Sequence, residues 1–471
     1  MIALRPDFRR WVVLPLLLLF ADAARAQAPQ IATQVLLDQL GTLADSLAAR
    51  DALSGVIIVA KDGKSVFAHA YGLADRETRK VNTVGTVFNV SSIGKRFTQV
   101  AVEQLAASGR LHLDSTIASV WPDYPNRAVA HAVTIRQLLE HRSGIAGDVF
   151  QHPFTLRRNS DYLPLFVWHS LRFAPGTREE YSNAGYIVLG EIVARASGEE
   201  YYGYVHRHVF NPASMRSSGF YARDSLPPFA AIGYTRQAHG DRSLPSSPLV
   251  SAANVQPRRG SAAGGVYASA PDLLGFLVAN RSGHFALPAD DRRSIIAGGS
   301  PGSNAVIAEG LPGGYDLIVL ENLDPPAADA IVEPVLSWLG APATREGRRI
   351  VAGGGSRPVA GAATRLPNTP AGRIAADYLR AYNTGDQDSV RVFFETEAVS
   401  DPARPTAARV ARYKSLFADL GRIELASVDK VVPNAVTIGV SSTRGQPLTL
   451  TFEVEANRAH RLTSITAEIS R

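Results

Sequence analysis

Phe88-Asn89-Val90-Ser91-Ser92-Ile93-Gly94-Lys95 runs from a strand-like segment into the start of a helix and sets a serine three residues ahead of a lysine. The helix follows from Phe97, Val100 and Leu105, with Gly109 to end it. Side chains three apart on a helix share a face, so Lys95 can bring its amine to the Ser92 hydroxyl. A hydroxyl is a weak nucleophile until a neighbour takes its proton, and a buried amine is a suitable acceptor. Lysine is scarce here: of 49 Lys+Arg, only Lys61, Lys64, Lys80, Lys95, Lys414 and Lys430 are lysines. Arginine would supply charge at position 95 but keeps its proton near neutral pH. A solvated helix lysine is the plain alternative. One other Ser-x-x-Lys occurs, Ser427-Val428-Asp429-Lys430, where Leu425, Val428 and Val431 read as strand and turn; there i and i+3 face apart.

Upstream, Leu36, Leu40, Leu43 and Leu47 recur at helical spacing. Strand-like residues 56–60 and 66–71 flank Lys61-Asp62-Gly63-Lys64, and Asp-Gly between apolar runs signals a hairpin. Further helices fit 135–141, 187–196 and 272–280. From Gly340 to Asn368 the composition turns to Gly, Ala, Arg and Pro, as in a linker. Beyond it, Ile374, Tyr378, Leu379 and Tyr382 mark one helix and Val410, Tyr413, Phe417 and Leu420 a second, with 390–394 between them. Four strand candidates follow, the clearest being the alternating 448–455. Strands first, helices in the middle and a separate helix-then-sheet module predict an α+β protein rather than a doubly wound one.

Residues 54–71, 88–101, 111–126 with 134–145, and 175–198 resemble stretches of the serine β-lactamase and DD-peptidase family, particularly its class C-like esterase branch. Residues 260–277, containing Ala263-Gly264-Gly265-Val266-Tyr267, resemble that family's later helix and its lead-in. The resemblance implies an antiparallel sheet flanked by helices, with a helical subdomain and the site between. It also implies a Tyr-x-Asn element, which Tyr181-Ser182-Asn183 matches: the phenol relays a proton and the amide holds substrate and lysine. Tyr124-Pro125-Asn126 has the same spacing but reads as turn chemistry. No Ser-Asp-Asn occurs, which argues against the class A type. The third element, Lys or His followed by x-Gly, is broken. Ile296-Ala297-Gly298-Gly299-Ser300-Pro301-Gly302 matches best by its surroundings and puts Ile296 where the base belongs. Gly299 N–H would still serve an oxyanion hole. Arg258, Arg259, Arg292 and Arg293 are candidate replacements for the missing cation. The module from 369 to 471 resembles an NTF2-like cone, opening with residues 377–386.

Arg5, Arg9 and Arg10 precede an apolar stretch, 11–20, and Ala24-Arg25-Ala26 follows, the order of a secretory signal peptide. Arg9-Arg10 hints at twin-arginine export. With 471 residues and no cysteine, the chain relies on buried cores and has no disulfide or thiolate metal site. A formal charge of +6 without a Lys/Arg run gives no support for nucleic-acid binding. His141 reads as structural, and His206-Arg207-His208 points its rings apart, so no metal and no cofactor is expected. The expected organisation is a signal peptide (1–26), a hydrolase domain (30–340), a linker (341–368) and the C-terminal module (369–471). The expected function is that of a secreted or periplasmic serine hydrolase acylated at Ser92. Lys95 and Tyr181 would move protons, Asn183 and Gly299 would bind substrate, and an ester, amide, β-lactam or peptidoglycan-type peptide would be the substrate. The other reading is a catalytically impaired envelope binding protein. Partners would be that small-molecule or peptide substrate and a second copy through the C-terminal module, with no nucleic acid and no membrane span after signal cleavage.

Overall fold

Asp62 and Gly63 have φ of 52° and 78°, the two positive values that a tight primed turn needs. They join β1 (Gly55–Lys61) to β2 (Lys64–Tyr71) as the Asp-Gly signal predicts. The computed structural model describes residues 31–341 and 366–469, apart from 148, 150–155, 237–247, 286, 288–294, 402–404, 433, 444–446, 456 and 458. The expected signal peptide and most of the expected linker lie outside the described residues, as do Arg292 and Arg293.

Ahead of the hairpin runs α1 (Thr33–Ala49), which buries Leu36, Leu40, Ala44 and Leu47; Ala44 takes the place the leucine spacing gave to Leu43. Three more strands arrive late in the sequence: β5 (Ile295–Ser300), β6 (Ser303–Leu311) and β7 (Tyr315–Glu321). The sheet is antiparallel in the order β2-β1-β7-β6-β5. Both of its faces are covered, so β1 is apolar without alternation. Ile57, Val59, Leu317 and Val319 pack on α1 and on α5 (Asp329–Trp338). Val56, Ile58, Ile318 and Leu320 join the larger core. That core includes α2 (Gly94–Ala107), α3 (Asn183–Ser197) and α4 (Ala270–Arg281). A two-stranded ladder of β3 (Val87–Asn89) and β4 (Tyr267–Ser269) braces the entry to α2.

The C-terminal residues have a core of their own, with Ile374, Tyr378, Tyr382, Val390, Phe393, Tyr413, Ile438 and Phe452. Two helices were expected before the sheet, and three are present: α6 (Pro370–Asn383), α7 (Gln387–Glu397) and α8 (Thr406–Leu420). The Asp386 carboxylate accepts from the Asp388 and Ser389 amides and starts α7. The sheet is a meander of β8 (Ile423–Val432), β9 (Ala435–Ser442), β10 (Pro447–Val454) and β11 (Leu462–Ile469). The second Ser-x-x-Lys lies on β8, whose register is interrupted once just before Ser427 and once within the motif, between Val428 and Lys430.

Glu321 ends β7 inside the protein, 1% exposed. Burial pushes its carboxyl up to about 8, with the Ser54 backbone pulling the other way and Asp329 adding repulsion. The unfolded chain releases this proton near 4.5, so stability present below that pH is lost as the pH rises through the native value. Glu321→Gln should therefore gain stability on wild type between about pH 5 and about pH 9 in urea unfolding. An unchanged difference across that range would show that Glu321 does not titrate as described.

Candidate active site

Ser92 lies in the single tight helical turn Ser91–Ile93, which runs directly into α2. Lys95 is therefore the second residue of the α-helix, one turn on from Ser92 and on the same side. Ser91 carries φ of 46°, unusual for a residue with a side chain. That conformation is held from both sides: its amide donates to Asn89 Oδ1, and its carbonyl accepts the Gly265 amide. Its hydroxyl lies 2.9 Å from both Ser300 Oγ and Ser303 Oγ.

Glycines let three segments close on this turn. A methyl group at Gly94 would lie 2.9 Å from Gly264 Cα, and one at Gly264 would lie 2.5 Å from the Ser91 carbonyl oxygen. At Gly298 it would lie 2.3 Å from the Val90 oxygen and 2.9 Å from the Ser92 nitrogen. Strand β5 thus lies against the serine turn at Gly298. Ser300 and Ser303 flank the two-residue turn of the β5–β6 hairpin and form its hydrogen-bonded pair. Gly299, opposite Asn304, is then a non-hydrogen-bonded position whose N–H points out from the sheet edge.

Tyr181 and Asn183 come from the start of α3. Ser182 caps that helix by accepting from the Gly185 amide, and its hydroxyl donates to the Ile145 carbonyl. Its own amide donates to His141 Nδ1, and the His141 ring packs on Tyr181 with centroids 4.6 Å apart. Tyr181 OH lies 2.8 Å from Ser92 Oγ. Lys95 Nζ lies 3.4 Å from Ser92 Oγ, donates to Asn183 Oδ1 at 2.6 Å and donates to the Ala263 carbonyl. The amine also sits over the Tyr181 ring, 4.6 Å from its centroid.

All four residues matched at Ser92, Lys95, Tyr181 and Asn183 are brought together. Lys95 is 1% exposed, and burial holds its pKa well below the usual lysine value. A neutral amine has two N–H groups and one lone pair. Asn183 Oδ1 and the Ala263 oxygen use the two N–H groups, which leaves the lone pair for the Ser92 proton. Burial pushes the Tyr181 phenol the other way, upward, with the Ser92 hydrogen bond opposing it. The two shifts are opposed: burial favours the neutral amine at Lys95 and the protonated phenol at Tyr181.

The position expected for a third basic group is different. Ile296 is buried on the face of β5 that bears Gly298 and contributes to the main core. Arg258 is ion-paired with Asp224, and Arg259 donates to the Phe220 carbonyl and stacks on Tyr202. Tyr124 is buried edge-on against Trp121, and Asn126 caps the next short helix, so the second Tyr-x-Asn is structural. Glu199 binds both Arg207 and His208. The Ala263 carbonyl and the His141 ring are the contributors that residue-type patterns missed. Gly264-Gly265, with φ of 141° and 83°, was the visible sign of an irregular backbone there.

Residues 41–367 match the family model described as Beta-lactamase. The chain is 27% identical over 212 residues to penicillin-binding protein 4* of Bacillus subtilis (strain 168), covering 43% of this chain and 46% of that protein. It is 28% identical over 200 residues to Protein flp of Staphylococcus aureus (strain MW2), covering 41% of this chain and 39% of that protein. It thus spans less than half the length of these curated relatives. A penicillin binding protein from Bacillus halodurans superposes with a TM-score of 0.55 at 28% identity, over 63% of this chain and 98% of that one. D-amino acid amidase from Ochrobactrum anthropi SV3 shares the fold, with a TM-score of 0.56 at 22% identity over 65% and 98% of the two chains.

Between neutral pH and 10.5 the unfolded chain protonates this lysine more fully than the native chain does. Wild type should therefore gain stability relative to Lys95→Met as the pH rises from about 7 to about 10 in thermal unfolding. A difference that stays constant would mean that Lys95 is charged in the native state.

Proposed function

The chain belongs to the Beta-lactamase family, and from that premise we propose that it is an exported serine hydrolase forming an acyl-enzyme at Ser92 with neutral esters and amides. The observation that carries this is the Ser92 hydroxyl set between the Lys95 amine at 3.4 Å and the Tyr181 phenol at 2.8 Å. Lys95 takes the Ser92 proton as Oγ bonds to the substrate carbonyl carbon. The carbonyl oxygen gains the charge and is met by the Ser92 and Gly299 N–H groups. Tyr181 hands its proton to the departing alkoxide or amine as the carbon–heteroatom bond breaks, and regains one from Lys95. Water then attacks the acyl carbon through the same groups in reverse, which releases the acid and restores Ser92. Asn183 holds Lys95 through Oδ1, and its amide N–H groups are left for the substrate carbonyl.

Neutral substrates are favoured because the place of the third basic group is filled by Ile296 and because Arg258 and Arg259 are engaged elsewhere. The paired Tyr181-x-Asn183 supports the class C-like esterase branch. Three helices against a bulged antiparallel sheet support an NTF2-like accessory module after residue 369. The second reading, an impaired family member that binds without turnover, is favoured by Ile296 alone.

A fluorophosphonate probe should label wild type and fail on Ser92→Ala. A neutral p-nitrophenyl butyrate should be hydrolysed with a kcat/KM about tenfold or more above that of p-nitrophenyl hemisuccinate, which carries a carboxylate needing a cation. Absence of labelling in wild type from about pH 6 to about pH 10, where the amine titrates, would overturn the hydrolase and leave the binding protein.

A further inference from the structure

Tyr181 is flanked by two backbone amides that fasten to the same residue. The Glu180 amide donates to the His141 carbonyl at 2.8 Å, and the Ser182 amide donates to His141 Nδ1 at 3.1 Å. The His141 ring packs on Tyr181 and on Tyr186, with centroids 4.6 Å and 5.0 Å away and planes tilted by 34° and 31°. We propose that His141 is a positioning residue for Tyr181: its Nδ1 lone pair and its ring aim the phenol at the leaving group. This role rests on the proposed hydrolysis at Ser92 and adds to it the residue that sets the proton donor.

His141 adopts φ of 57°, a left-handed conformation that few residues with a side chain take. That backbone turns the carbonyl and the imidazole of one residue toward the same segment, 180–182. Such conformations persist where the surroundings over-determine them, and they cluster at active sites. An amide N–H can only donate, so Nδ1 is the acceptor and carries no proton.

Asn183 has a separate anchor. The Ser182 hydroxyl accepts the Gly185 amide and donates to the Ile145 carbonyl, which secures the start of α3 without the imidazole. Lys95 is held by Asn183 and the Ala263 carbonyl, whereas Tyr181 is in direct contact with the histidine. Loss of the imidazole should therefore fall on proton donation to the leaving group more than on activation of Ser92.

Two butyrate esters that share an acyl group separate these steps. p-Nitrophenolate departs without a proton, whereas ethoxide needs one from Tyr181. His141→Gly fits the positive φ and removes both acceptor and ring. His141→Asn tolerates the same φ and returns an acceptor on the atom next to Cγ. With folding checked by thermal unfolding, His141→Gly should lose kcat/KM on both esters. Its loss on ethyl butyrate should exceed that on p-nitrophenyl butyrate about tenfold or more, and His141→Asn should recover most of the excess. In a Tyr181→Phe background, His141→Gly should add no excess. A measurement that needs no variant is NMR of the ring nitrogens, which should find Nδ1 bare and the proton on Nε2 at about pH 8. Equal losses on the two esters, no recovery in His141→Asn, or a proton on Nδ1 would overturn the role of His141 and leave the hydrolase standing. Wild type that turns over neither ester would overturn the hydrolysis and this role together.

Discussion

Everything at the nucleophile rests on how closely backbone can approach backbone around Ser92. Gly94, Gly264 and Gly298 come from α2, from the loop before β4 and from an edge strand more than two hundred residues downstream. A methyl group at any of them would lie under 3 Å from a main-chain atom of another segment. Contacts this tight leave the turn little freedom to relax, so the unusual φ of Ser91 is over-determined by its surroundings. The Ser91 hydroxyl ties the same turn to both sides of the β5–β6 hairpin. The Ser92 turn is thereby fixed relative to β5 before any substrate arrives, the preorganisation that the proposed oxyanion hole requires.

Lys95 is the second commitment. Removing an ammonium group from water costs several kcal/mol even after relaxation, so about the whole margin of a marginal domain is at stake if it stays charged. The protein surrounds the amine with two acceptors and two aromatic rings, and among the described residues no carboxylate forms an ion pair with it. Those contacts favour a charge, and burial alone opposes it strongly enough to hold the pKa well below the usual lysine value. Stability is given up at this position for the neutral amine that the proposed mechanism requires.

Much of this was legible. Ser92 and Lys95 are a side-chain pair at helical spacing, and the Asp-Gly hairpin, α1 and the Tyr181 segment carry their own local signals. Other parts had no signal of that kind. The Ala263 carbonyl is common to every residue type, so only the neighbouring glycines hinted at it. The packing of His141 on Tyr181 joins residues forty apart through a loop whose path no periodicity encodes. Helix α7 has a weak local signal because its apolar run, 390–394, is too short to distinguish a strand from a helix, and its start depends on the Asp386 cap. The order β2-β1-β7-β6-β5 pairs the first strand with the last of the sheet, a long-range choice that local patterns do not specify.

Ile296 and Lys95 belong to one electrostatic account. A second cation on β5 would lower the lysine pKa by repulsion, adding to burial. With isoleucine there, desolvation is the sole cause of the shift. The isoleucine does not merely remove a charge: it is buried and joins the main core on the face of β5 that bears Gly298. The broken motif and the spared lysine are then compatible. On the proposed mechanism, one amine kept from its charge by burial performs the proton transfer, and the loss falls on recognition of anionic substrates rather than on activation of the serine.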